Sequence, residues 1–311
     1  MMQLSEPHKE NLRWVFKGPD GIRAGWSIAI FLAITIAVMA PIEFGLRYVV
    51  QTWFHIAVPP VGEISPIFLL TYEIVTLVPI LAATAIMARI EGRSVWDYGL
   101  TSPCRNFHFW AGWAGGFLCL SVLVGMLISA GYLVIDGVAL HGVNAILYAF
   151  SFFIGFLLTG ISEETTNRGY FQYALARGIG FWPGAVVSSA AFAFMHTNNH
   201  GETALGIAQV FCGGMIFCAL LRVSGSLWMS IGFHAAWDWG QSYFYGTPDS
   251  AMLFKGHLMN SHALGTGWLS GGSAGPEGSA LATPVLILGV LAIVWLTQRA
   301  KLTKNSSEIP A

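Results

Sequence analysis

Long apolar runs separated by short polar stretches dominate the chain. Runs 24–42, 109–135, 143–162, 178–201, 203–221 and 278–298 contain no Asp, Glu, Lys or Arg; 66–88 is broken only by Glu73, and 223–248 only by Asp238. A helix needs ~20 mainly apolar residues to cross the hydrocarbon layer, and each run is near that length. The ten-residue alternating segments of an outer-membrane barrel are absent. The pattern predicts an all-α integral membrane protein, a bundle of about eight transmembrane helices forming one polytopic domain over 1–311.

Composition agrees: 55% of residues are hydrophobic and 10% charged, against about 25% charged in a soluble domain. A net charge of -1 without a basic patch gives no footing for nucleic acid, so the expected surroundings are the lipid bilayer. Cys104, Cys119, Cys212 and Cys218 have neither zinc-like nor disulfide-like spacing and read as small buried residues. The first 23 residues are polar with a turn at 18–20, so the first apolar run reads as a retained span rather than a cleaved leader. With eight spans and both termini cytoplasmic, only Arg47 and Lys255 of the 15 Lys and Arg fall outside, as the positive-inside rule requires. The Gly- and Ser-rich stretch 246–280 then becomes the largest outer-side loop, and its aromatic residues suit packing against the membrane surface.

Ionisable residues inside spans are costly and mark pathways or sites. Here they form three groups: Glu163-Glu164-Thr-Thr-Asn-Arg168, Phe192-Ala-Phe-Met-His196 and His234-Ala-Ala-Trp-Asp238. Residues four apart share a helix face, so Glu164 and Arg168 are expected to pair, leaving Glu163 to face a cavity. Asn167, one turn after Glu163, is placed to hydrogen-bond it. Counted at ~1.5 Å per residue from the turn near 178–183, Glu163 and His196 reach equal depth; His234 and Asp238 come level from their own turn. This requires the fourth helix to continue past Ser162 to about Ala176. Glu73 and Glu43 read as interfacial, with a place lining a cavity the second reading for Glu73, and His141, His200, His257 and His262 read as solvated loop residues.

Two adjacent carboxylates in a water-poor cavity cannot both ionise freely, which suits a general base. Two His and three carboxylates are also a donor set for zinc, but the His-Glu-x-x-His motif is absent and no metal is expected. Embedded acids serve proton-coupled carriers too, but no inverted repeat of the carrier kind is found.

In order, Glu-Glu-x-x-x-Arg, Phe-x-x-x-His and His-x-x-x-Asp resemble the three motifs of the CAAX protease and bacteriocin-processing (CPBP) family of intramembrane proteases, which includes the type II CAAX prenyl endopeptidases. The motif core covers about 145–245. Stretches 225–238 and 267–279 are especially similar to bacterial members, so the cytoplasmic membrane of a prokaryote is the expected location. The resemblance implies glutamate-dependent peptide hydrolysis without an obligatory metal, in a cavity in the inner half of the membrane, on a peptide or protein substrate. It implies that Glu163 activates water with help from His196, that His234 and Asp238 hold the oxyanion, and that Glu164 and Arg168 support them. The family also contains non-catalytic scaffold and bacteriocin-immunity-type members, the alternative role for this chain.

Overall fold

The computed structural model describes residues 14–19, 21–53 and 63–307. Lys9 and Arg13, two charges of the orientation argument, lie outside the described residues, as do the side chains of Arg47, Arg299, Lys301 and Lys304. The chain is mostly helical. After a tight antiparallel pair, β1 (Lys17–Gly18) and β2 (Gly21–Ile22), come α1 (Ala24–Trp53), α2 (Pro66–Glu91) and α3 (Arg105–Ser129). Next, α4 (Gly142–Glu164) runs through a π-helical segment, Thr165–Phe171, into α5 (Gln172–Ile179). Then follow α6 (Phe181–His196), α7 (Ala204–Ser224), α8 (Trp228–Trp239, continued by a second π segment, Gly240–Tyr245) and α9 (Ala282–Ser307).

Among the described residues, five helical stretches are long and apolar enough to cross a membrane: Ala24–Leu46, Pro66–Glu91, Arg105–Ser129, Gly142–Ile179 and Ala204–Ser224. This is a multi-pass membrane architecture. Two of the other apolar runs form shorter helices, Phe181–His196 and Trp228–Trp239, and the apolar part of α9 is Ala282–Leu296. The run 178–201 yields only Phe181–His196, because the chain leaves the helix after His196. The expected helix over 109–135 stops at Ser129, and Gly131 takes a left-handed φ of 77°. Leu133–Val138 then forms β3, antiparallel to β4 (Met259–Ala263). Two small strand pairs therefore amend the all-α expectation.

Helix α8 occupies the centre, with every residue from Met229 to Asp238 buried. Its closest neighbour is α3, and glycine makes that approach possible. A Cβ at Gly112 would overlap the carbonyl of Met229, one at Gly116 the carbonyl of Phe233, and one at Gly232 the carbonyl of Phe109. Small residues four apart let helix backbones touch where lipid gives no hydrophobic drive. Leu120, Leu123 and Leu127 of α3, Leu220 of α7, Phe233 of α8 and Leu286 of α9 fill one core beside this contact. On the other flank, α4 packs on α8 and α2, while α1 lies against α2 and α5. Gly180, with φ 90°, makes the turn from α5 into α6.

Candidate active site

The fourth helix does continue past Ser162, and it changes register there. A π turn widens the helix. Three successive side chains bond carbonyls of the preceding turn: Thr165 Oγ1 donates to the Ile161 carbonyl (2.6 Å), Thr166 Oγ1 to that of Ser162 (2.6 Å) and Asn167 Nδ2 to that of Glu163 (3.0 Å). The expectation for Asn167 is thereby corrected. It hydrogen-bonds the Glu163 backbone carbonyl rather than the carboxylate. Ser188 Oγ of α6 donates to the Asn167 carbonyl at 2.7 Å and ties the widened turn to its neighbour.

Glu164 and Arg168 pair at 3.0 Å, both side chains fully buried. Glu164 Oε1 also lies 3.0 Å from His234 Nδ1. A carboxylate only accepts, so Nδ1 carries the proton and Nε2 is the edge turned to other groups. Glu163 Oε2 and Asp238 Oδ2 each lie 3.5 Å from that Nε2. His196 turns Nδ1 to the Phe192 carbonyl at 2.9 Å, so by the same reasoning Nδ1 bears hydrogen and Nε2 is the edge left for other groups.

Glu163, His196, His234 and Asp238 all line one cavity of about 660 Å³, while Glu164 and Arg168 sit behind its wall. Phe192 stands between the imidazoles, its centroid 4.6 Å from the His196 ring and 6.0 Å from that of His234. Among the described residues, His200 and His262 are exposed and outside the cavity; His262 pairs with Asp136 at 2.8 Å.

The sequence reading missed two parts of this cavity. Glu73, expected at the interface, is 4% exposed and lines the cavity, accepting a hydrogen bond from Thr159 Oγ1 of α4 at 3.1 Å. Thr76, one turn on, lies 3.3 Å from Ser162 Oγ, so a polar seam joins α2 to α4 just below Glu163. A Glu in an otherwise uncharged apolar run was the available signal. Glu43 is exposed on α1. The second part is the 246–280 stretch, which folds onto the bundle: Asp249, Ser250 and Glu277 reach the cavity. Glu277 Oε1 accepts from both Ser250 N and Ser250 Oγ at 2.7 Å, holding Ser250 at a left-handed φ of 45°. Asp249 accepts from Gln241 Nε2 (3.1 Å) and Ser242 Oγ (3.0 Å). Burial above all, then the charges of Asp238 and Glu277, hold its carboxyl well above the usual carboxylate range. Nothing in the local sequence announces these long-range contacts.

Fold and site together define a class: a multi-pass helical membrane protein with acids and imidazoles gathered in a cavity inside its bundle. Residues 144–240, less than half of the chain, match the family model described as type II CAAX prenyl endopeptidase Rce1-like. The matched span runs from α4 to the end of α8 and contains all three motifs, which agrees with the resemblance those motifs carry. No curated protein matches the chain.

Proposed function

We propose that this chain is an intramembrane endopeptidase that cuts peptide bonds with a water activated by Glu163. The observation that carries the reading is the cluster around His234: Glu163 and Asp238 each 3.5 Å from Nε2, and Glu164 at 3.0 Å from Nδ1 with Arg168 behind it. Splitting two neighbouring carboxylates between roles is how one fold runs acid and base chemistry together. Glu164, paired twice, orients the imidazole. Glu163, 29% exposed to the cavity, is free to take a proton from water.

In the reaction, the water oxygen adds to the scissile carbonyl carbon as its proton passes to Glu163. His196 Nε2 helps orient that water. Oxyanions are held by donors, so His234 and Asp238 act from their proton-bearing forms. Collapse of the tetrahedral intermediate breaks the C–N bond, and Glu163 returns its proton to the departing amine. No metal is required in this scheme, since Glu163 supplies the base and the His234 edge supplies the electrophilic stabilisation. The substrate is a peptide or protein segment presented at the membrane. The inner-half location of the site, eight spans with both termini cytoplasmic, and residence in a prokaryotic cytoplasmic membrane belong to the same proposal; the span count rests on the apolar runs, the orientation on the distribution of positive charge, and the prokaryotic location on the similarity to bacterial members.

The test is turnover of a fluorogenic peptide library by purified wild type, Glu163→Ala and His196→Ala, each with and without chelator. Loss of turnover in both variants and chelator-resistant wild-type activity are expected. Equal turnover in all three proteins would sink the proposal.

A further inference from the structure

Arg168 and His234 come from different helices, and one side chain outside the three motifs touches both. Phe217, on α7, stacks on the His234 imidazole with centroids 4.6 Å apart and planes 18° from parallel. The Arg168 guanidinium carbon lies 5.1 Å from the centre of the same ring, and 4.3 Å from that of Phe192. Phe217 is 8% exposed, and what it exposes belongs to the cavity lining. One turn earlier, Gly214 makes room: a Cβ there would stand 2.9 Å from Arg168 Nη2 and from Ser189 Oγ. Helix α7 thus yields a side chain to seat the cation and offers an aromatic face to the imidazole.

We propose that Phe217 is a positioning residue for the hydrolysis, its ring fixing the plane of the His234 imidazole and coupling that plane to Arg168. The proposal rests on the peptidase reading of the site. The physical case is one of degrees of freedom. The Nδ1 bond to Glu164 fixes one point of the imidazole but leaves the ring free to swing about it. Swinging would carry Nε2 away from Glu163 and Asp238. A face-on ring on one side, with the edge-on Phe192 at 88° on another, blocks that motion. Aromatic pairs prefer such offset and edge-to-face arrangements, and a cation over a ring face is attracted to it. Leucine fills similar space but presents no flat face.

The experiment compares full-length wild type, Phe217→Leu, Phe217→Tyr and Phe217→Trp, purified in one detergent. Phe217→Leu is expected to lower kcat by about tenfold or more, the range that small misplacement of a reacting group costs, with KM within about twofold. Phe217→Tyr or Phe217→Trp restores most of kcat. A second readout needs no turnover: in protein labelled at histidine, the His234 ring signal, assigned with His234→Asn, is displaced by the ring current of Phe217. It moves toward the ordinary position in Phe217→Leu and stays in Phe217→Tyr. A wild-type kcat in Phe217→Leu overturns the proposal, as does equal loss in the Leu and aromatic variants, which marks a role in volume alone. A wild type without turnover removes the peptidase reading instead. The spectra then decide whether Phe217 sets the His234 plane, and an unmoved signal overturns that too.

Discussion

Arg168→Met tests the foundation of the site most directly. The guanidinium and Glu164 are both fully buried, 3.0 Å apart, so solvent screening offers no relief. Removing one member of a buried pair leaves an uncompensated charge, at a cost of about 3–5 kcal/mol. Lost attraction to the Phe192 and Phe217 rings adds about 1 kcal/mol or more for a desolvated cation. Methionine returns some apolar packing, and Glu164 keeps its bond to His234 Nδ1, so a net loss of about 3 kcal/mol is expected. For 311 residues, at an unfolding entropy of about 2.1 cal/mol/K per residue, that is a fall of roughly 5 °C in thermal midpoint. The double variant Glu164→Gln/Arg168→Met buries no unpaired charge and should recover at least half of the fall. The assay is thermal unfolding of wild type, both single variants and the double variant in one detergent. A midpoint for Arg168→Met within about 1 °C of wild type, or a double variant at the sum of the two single losses, would refute the reasoning.

Gly116→Leu should collapse the single sharp peak in size-exclusion chromatography, because its side chain meets the Phe233 backbone. Gly125→Leu on the same helix meets nothing and should leave the peak intact; similar behaviour of the two would deny the close α3–α8 contact. Glu73→Gln keeps an acceptor for Thr159 while removing a carboxylate from the cavity; kcat/KM is expected to fall by about tenfold, and unchanged kinetics would confine Glu73 to a structural role. Asp249 has a folded-state affinity for its proton above the ordinary carboxylate value, so the folded state holds more protons than the unfolded one and stability falls as pH rises from about 4 toward that elevated value. Asp249→Asn should therefore melt above wild type at pH 7.5, with the gap closing toward pH 4; a gap independent of pH would contradict the linkage.

Hydropathy made the membrane class, the main helices and the positions of the three polar groups legible. The pairing of Glu164 with Arg168 was readable because four-residue spacing is local information. What escaped depends on distance along the chain. Glu73 joins the cavity only because α2 packs on α4, and Asp249 and Glu277 only because a long loop turns back over the bundle. Asn167 was misread for a different cause. Spacing placed it one turn after Glu163 but could not show which Glu163 oxygen it meets. Hydropathy also cannot separate a helix that faces lipid from one enclosed by protein. Helix α8 is apolar for the second reason, and its regular part ends after 12 residues.

The glycine contact between α3 and α8 bears on how the protein responds to its bilayer. Membranes differ in thickness by several Å, and a spanning helix adjusts by tilting at small cost per Å of mismatch. Helix α1 is free to do so: only 6% of its apolar window is buried. Helix α8 is not, being surrounded by protein and seated backbone to backbone on α3. A change of thickness is therefore absorbed at the periphery of the bundle, on a helix that, among its described side chains, brings only Leu32, Thr35 and Met39 to the cavity wall. His234 and Asp238 stand on a helix insulated from the mechanical state of the lipid, so their placement is kept in membranes of differing composition.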